Sequence, residues 1–462
     1  MKAWEMELEM RIAAIPQRNY VPQWEAIQQY AGMADALLTT LWFSEVPGSG
    51  APERLMVGAV QAAENRGLCV EKAENLLKTG LEAWEQRDLS TLHRVTALIW
   101  KELDRAPVNK QAEYWKFRHP RSWNEHRVCS QFPPRVPVDV FSEDFEGRIY
   151  AGWLAQICGG ALGTAIEGYV TERLMEIYGP IDYYVRPPDT YNDDILYELA
   201  FLKAFDKFGY AVTSDEIAEE WVSHIPFGWS AEMVALENLR RGIFPPESST
   251  RSNPFCEWIG AQMRGAVLGM VCPGNPLEAA RLAWIDGMIS HQSNGILGEV
   301  FNAVLTAMAF VERDVHELVQ DAIRCIPKDS QYRWVVETAL AICKHESKWL
   351  AAWGKCGKAF ERYNWVHVYP NVAIEIIALW YGNGDFDKTM SIIAMAGQDV
   401  DCNAAQIGAV LGVMFGPDII GKRWADPIHD ELCTYMRGME KIKISELARW
   451  TTEVVRKYRA RS

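Results

Sequence analysis

The chain has 462 residues, 49% of them hydrophobic and 19 of them Trp, and carries a formal net charge of −14. That length and apolar content suffice for a large buried core with a smaller second unit, and they exclude a disordered chain. The negative charge argues against a nucleic-acid backbone or an anionic membrane as partner, since either would be repelled, while a lone phosphorylated ligand at a local basic group remains compatible.

Met1 to Ile12 is acidic and has no apolar signal core, which gives no support for secretion by the usual signal. Amphipathic helices are expected over Met33 to Trp42, Glu53 to Asn65, Glu71 to Trp84 and Leu89 to Leu103, broken by the loop Pro47-Gly48-Ser49-Gly50-Ala51-Pro52. The Trp residues of this region, Trp4, Trp24, Trp42, Trp84, Trp100, Trp115 and Trp123, are expected as core anchors. Phe132-Pro133-Pro134-Arg135-Val136-Pro137 holds three Pro in six residues, which removes backbone donors and forbids helix. A boundary placed there divides the chain into a helical accessory region, 1–138, and a second, larger domain, 139–462.

Beyond that boundary, Phe145 to about Tyr458 reads as helix after helix, with almost no β-branched alternation, which predicts an all-α fold. Ile149 to Ile166 is mostly apolar, but it is rich in Ala and Gly and interrupted by Gln156. It is therefore expected to be a soluble helix packed tightly by its neighbours and not a membrane span. A helix from about Asn403 carries Ala404, Ala405, Gly408, Ala409 and Gly412 before the stop signal Gly416-Pro417. Small residues at these spacings permit close helix packing. The ten Cys include no Cys-x-x-Cys pair, so they form no zinc spacing and no evident disulfide framework, and they read as reduced thiols of a cytoplasmic protein.

Two acidic clusters, Asn192-Asp193-Asp194 and Asp399-Val400-Asp401-Cys402-Asn403, each stand where an apolar helical run begins. Capping of helix N-termini is the ordinary use of such residues. If the fold gathers the four carboxylates, their repulsion and desolvation call for a multivalent cation or a shared proton. Carboxylate and amide oxygens are hard donors, suited to Mg²⁺, Mn²⁺ or Ca²⁺ and not to Zn²⁺.

Four segments taken together resemble the ADP-ribosylglycohydrolase family: Gly147-Arg148-Ile149-Tyr150 through Gly163-Thr164-Ala165-Ile166-Glu167-Gly168; Asn192-Asp193-Asp194; Ser290-His291-Gln292-Ser293-Asn294-Gly295; and Gly397-Gln398-Asp399-Val400-Asp401-Cys402-Asn403-Ala404-Ala405. The resemblance runs from about Gly147 to Gly416. It implies an all-α ADP-ribosylglycohydrolase-like helical bundle in which one or two divalent cations, Mg²⁺ or Mn²⁺, sit at the floor of a cleft, with the N-terminal helical region as an accessory. By position it assigns Asn192, Asp193, Asp194, Asp399, Asp401 and Cys402 as metal ligands and places Glu167 near the metals and the ribose. Asn192 and Cys402 stand where the family has Thr; an amide oxygen still suits a hard cation, whereas a thiol is a poor ligand for Mg²⁺. Gly260-Ala261-Gln262-Met263-Arg264 looks similar to longer relatives in the family.

The activity so implied is metal-dependent cleavage of the glycosidic bond of an ADP-ribosyl group or a related riboside or small glycoside. Asp193, Asp194 and Glu167 are the candidates for proton relay. Tyr184 and Arg186, in the loop before the first cluster, and His291 and Asn294, in a helix connection, are candidate substrate contacts. A catalytically silent protein that holds a nucleotide or sugar in the same cleft is the alternative, which the changes at Asn192 and Cys402 favour. The oligomeric state has no signature in the sequence.

Overall fold

The computed structural model describes residues 1–19 and 27–459; Trp24 lies outside the described residues. The architecture is all-α, as the periodicity predicts; among the described residues the strands form two small antiparallel hairpins, Ser44–Glu45 with Pro52–Glu53 and Glu431–Cys433 with Lys441–Lys443. No helix among the described residues is long and apolar enough to cross a membrane.

The described residues form two hydrophobic cores. The larger is built from side chains between Val140 and Val455. The smaller draws on the helices Ile27–Trp42, Leu55–Asn65, Glu71–Glu85 and Leu89–Asp104. It is completed by Ala231, Val234, Phe255 and Trp258 from the second half of the chain. Trp42 is its fully buried anchor, its indole N–H donating to Thr96 Oγ1 at 2.8 Å. Trp84, Trp100 and Trp123 are half-buried against one core or the other. Trp4 departs from expectation, because the Ala3–Ala13 helix buries none of its residues and the ring is 62% exposed. Trp115 is also partly exposed, its indole N–H tied to the Gly67 carbonyl at 3.0 Å.

The Pro-rich segment runs as a strap along the larger body and carries no helix. Gln131 N donates to Arg324 O at 3.0 Å and Val136 N to Gly274 O at 2.9 Å. Upstream of it, Tyr114 reaches in to donate to Glu257 Oε1 at 2.8 Å. Glu53 also departs from the sequence reading, which put it in a helix. Pro52 offers no backbone donor, and the pair Pro52–Glu53 closes the first hairpin, so the helix begins at Leu55.

The centre of the larger body is the crossing of two helices, Glu143–Gly163 and Val400–Phe415. Their backbones touch through glycines at i, i+4 spacing on both partners. A Cβ on Gly159 would lie 2.2 Å from Ala404 O, on Gly163 2.0 Å from Asp401 N, on Gly408 2.5 Å from Ala155 O and on Gly412 2.2 Å from Ala151 O. Any larger residue would push the helices apart. The run that resembled a membrane span is thus a buried helix whose glycines admit a neighbour's backbone. The same packing sets the C-terminal end of the first helix against the first turn of the second, where Asp401 sits.

Candidate active site

The four acidic residues stand at the N-termini of two helices, Asp194–Phe208 and Val400–Phe415. Asp193 and Asp399 occupy the N-cap positions, yet neither side chain makes a capping hydrogen bond. Capping is therefore not how these carboxylates are used. The cap belongs to Asn192, whose Oδ1 accepts from Asp194 N at 2.6 Å while its Nδ2 donates to Asp401 Oδ2 at 2.9 Å. One amide thus ties the first cluster to the second across 209 residues of sequence. The sequence reading put Asp401 ahead of its helix; it lies in the first turn.

Glu167 is delivered by backbone stitching. The chain leaving Gly163 turns so that Gly168 N donates to Gln398 O at 2.8 Å and Gln398 N returns to Tyr169 O at 3.2 Å. This antiparallel bridge lies directly before Asp399. It requires left-handed backbone at Gly397 (φ +75°) and at Gln398 (φ +67°), and a Cβ on Gly397 would meet Tyr169 O at 2.1 Å. Asn371, buried in the Val368–Gly382 helix, accepts from Asp399 N at 3.3 Å and from Asn403 Nδ2 at 2.8 Å, and so fixes the second cluster from below.

The resulting charge density is severe. Asp399, Asp401 and Cys402 bring one donor atom each within 4.8 Å of one another. The Cys402 thiol donates to Asp194 Oδ1 at 3.4 Å and lies 3.8 Å from Met263 Sδ. Three buried carboxylate oxygens, Asp194 Oδ2, Asp399 Oδ1 and Asp401 Oδ1, have no hydrogen-bond partner among the described residues, a costly arrangement in a finished core. Burial, then the charge of Asp401, pushes Asp194 and Asp399 well above the usual carboxylate range. The same two causes raise Asp193 to about 6. Glu167 is raised well above its ordinary value by burial and by Asp401, Asp399, Asp193 and Asp194. The charges that act on Glu167, Asp193, Asp194 and Asp399 are those of the neighbouring carboxyls.

The structure thus brings Asn192, Asp193, Asp194, Asp399, Asp401, Cys402 and Glu167 into one group. It does not bring the four expected substrate contacts there by any hydrogen bond. Tyr184 donates to the backbone carbonyls of Trp424 at 3.0 Å and Cys158 at 3.3 Å, and Arg186 to those of Gly48 at 2.6 Å and Ala165 at 3.3 Å. Asn294 is fully buried, donating to Glu257 Oε1 at 3.0 Å and accepting from Tyr332 N at 3.1 Å. His291, also fully buried, pairs with Ser290 Oγ at 2.8 Å beside a buried ion cluster. In that cluster Arg264 donates to Asp286 Oδ1 at 2.5 Å and Glu232 Oε1 at 2.9 Å. Burial and the Arg264 charge hold His291 well below its ordinary pKa. The Gly260 to Arg264 segment noted in the sequence supplies this cluster's guanidinium.

Sequence reasoning missed Asn371, Tyr435 and Glu53. Tyr435, stacked at a tilt on Tyr191 with centroids 5.6 Å apart, is raised by burial and by Asp193 and Asp194. Glu53 is a buried carboxyl that also feels the charge of Asp193. Each is a lone residue without a motif, and only the spatial neighbourhood marks it.

The family model described as ADP-ribosylglycohydrolase matches residues 142–461. A protein of Archaeoglobus fulgidus described as uncharacterized is 23% identical over 289 residues, covering 59% of this chain and 88% of the relative. A solved structure described as an ADP-ribosylglycohydrolase-related protein complex aligns with a TM-score of 0.47 at 19% identity, covering 68% of this chain and 99% of that one. With the family model spanning well over half of the chain, the protein belongs to the ADP-ribosylglycohydrolase family, whose members are in general hydrolytic and use divalent metal.

Proposed function

We propose that the protein is a divalent-metal-dependent glycohydrolase that cleaves the glycosidic bond of an ADP-ribosyl group or a related riboside. The observation that carries this reading is the convergence of carboxylates from two distant helix starts into a centre with orphaned buried oxygens and, among the described residues, no ion pair to a basic side chain. A cation is what such a donor set lacks. The oxygens of Asp193, Asp194, Asp399 and Asp401 fit Mg²⁺ or Mn²⁺, with Asn192 bridging the two clusters and the Cys402 thiol the one soft donor among them.

Bound there, the cation would orient ribose hydroxyls and stabilise negative charge beside the anomeric carbon. The chain's own residues do the rest. Glu167 stands against Asp401 and takes the proton of the attacking water, a role suited to a carboxyl whose pKa is set by burial and neighbouring charge. The glycine-packed helix pair fixes Asp399 and Asp401 against the segment that carries Glu167, and Asn192 ties the first cluster to Asp401, which orients these groups for substrate. Residues 1–138 serve as a helical accessory layer that walls the cleft.

The test is a hydrolysis screen with Mg²⁺ and Mn²⁺ over ADP-ribosyl-arginine, ADP-ribosyl-serine, O-acetyl-ADP-ribose, nucleosides and small glycosides. Turnover that is lost in chelator and in Asp401→Ala is the expected result; turnover that persists in both overturns the metal mechanism. A second reading, a silent protein that binds a nucleotide or sugar, draws on Cys402, whose thiol is engaged as a donor to Asp194. It predicts ligand binding without turnover in the same screen.

A further inference from the structure

Hydrolysis of a glycoside needs two proton transfers, one from the attacking water and one to the departing atom. Carboxylates engaged as metal ligands are ionised and poor proton donors. Glu167 serves the first transfer, and the second needs a residue of its own. A carboxyl outside the ligand set, near the centre and shielded from solvent, is the missing element.

The first hairpin supplies one. Its tip is fastened to the segment that carries Glu167. Tyr169 Oη donates to Ser49 O at 3.2 Å, and the Arg186 guanidinium bridges Gly48 O and Ala165 O at 2.6 and 3.3 Å. A Cβ on Gly48 would lie 2.7 Å from Thr164 O, and one on Gly168 would lie 2.6 Å from the Ala51 side chain. Both glycines have positive φ, so this contact tolerates little else. Arg186, expected from sequence as a substrate contact, here serves as the rivet of the hairpin.

At the end of this hairpin the Glu53 side chain turns inward and is 6% exposed. The Trp229 indole N–H donates to its Oε2 at 2.7 Å and the Ser44 hydroxyl at 3.4 Å. Both are neutral donors. Burial is the largest influence on this carboxyl and the charge of Asp193 in the acidic centre adds to it; together they raise Glu53 to about 7. A carboxyl that keeps its proton near neutral pH, beside a cluster of carboxylates, has the environment of a general acid.

We propose that Glu53, supplied by the accessory region and oriented by Trp229, is the proton donor to the leaving group. The inference rests on the glycohydrolase reading. In the step, the Glu53 carboxyl proton passes to the departing oxygen or nitrogen as its bond to the anomeric carbon breaks and the bonding pair leaves with it. Water adds to the anomeric carbon and gives its proton to Glu167; after product leaves, Glu167 releases that proton to solvent and Glu53 takes one up, which restores both groups. The residue lies outside the stretch matched by the family model, so this chain's accessory region completes the site.

Leaving-group dependence tests it in the full-length, Mn²⁺-loaded protein, with methyl and 4-nitrophenyl ribofuranosides of both anomers as probes. A nitrophenolate departs without a proton, and a methoxide does not. Glu53→Gln is expected to lower kcat/KM for the methyl riboside by about 100-fold or more and for the nitrophenyl riboside by less than about 5-fold. It should also erase the fall in wild-type kcat/KM above neutral pH. Equal losses on both probes, or no loss on either, overturn the assignment while leaving the metal reading intact. A wild-type protein inactive on every probe and in the screen defeats both. A second measurement needs no turnover: the ¹⁵N-indole resonance of Trp229, assigned with Trp229→Phe, should titrate near pH 7 in the wild type and stay constant in Glu53→Gln. A resonance that is constant from pH 5 to 9 in the wild type also overturns the proposal.

Discussion

Replacing Asp193 with Asn separates a metal centre from ordinary helix capping by the sign of a stability change. Asp193 is raised to about 6 in the folded protein by burial and Asp401, against about 3.9 in an unfolded chain. A raised carboxylate is destabilising when ionised: the penalty is fully present above the folded pKa and vanishes as pH falls to the unfolded one. Two units correspond to about 3 kcal/mol, and solvent reaching the half-buried side chain reduces this to about 1–3 kcal/mol. In chelator at pH 8, Asp193→Asn is therefore expected to be more stable than wild type by that amount, with about half of the gain left at pH 5. Cation at about 100 times its dissociation constant returns about 2.7 kcal/mol to the wild type and little to the variant, so the order narrows or reverses. Urea unfolding at pH 5 and 8, with EDTA or Mn²⁺, reads all four conditions. A variant that is less stable than wild type in EDTA at pH 8 refutes the reasoning and restores a structural role for the side chain.

Other expectations follow from the same geometry. Asp401→Ala should abolish turnover and weaken Mn²⁺ binding at least tenfold by calorimetry while keeping the helical circular dichroism, whereas Cys402→Thr, which exchanges a thiol for a hydroxyl, should preserve or tighten binding. Gly163→Ala forces a Cβ to within 2.0 Å of Asp401 N, so a loss of about 1–3 kcal/mol in stability and a weakened metal site are expected. Gly147→Ala, with nothing within 4 Å, is the control and should be neutral or slightly stabilising. Removal of residues 1–130 uncovers Phe255, Trp258 and Val234, which complete the smaller core, so aggregation on size-exclusion chromatography is expected; a monodisperse truncated protein with unaltered kinetics would contradict the accessory role.

The helical class was legible in the sequence because amphipathic and Ala-rich periodicity is a local property of the chain. The glycines of the central helix pair were legible for the same reason: Gly159, Gly163, Gly408 and Gly412 announce close packing by their spacing, though not against what. The acidic clusters could be singled out because neighbouring carboxylates repel one another and call for a partner if the fold gathers them, and the motif order tied them to one family. Only the tertiary structure decided that Asn192 spans from one cluster to the other, that Asp193 and Asp399 leave their caps unmade, and that Tyr184, Arg186, His291 and Asn294 are engaged by protein atoms. Glu53 was invisible for a physical reason. A single glutamate after a proline has no pattern; its character comes from burial against Trp229 and from the field of Asp193, neither of which is its neighbour in the chain. Local propensity is written residue by residue, whereas desolvation and Coulomb interactions depend on what the fold brings near, and the chemistry of this site is made of the latter.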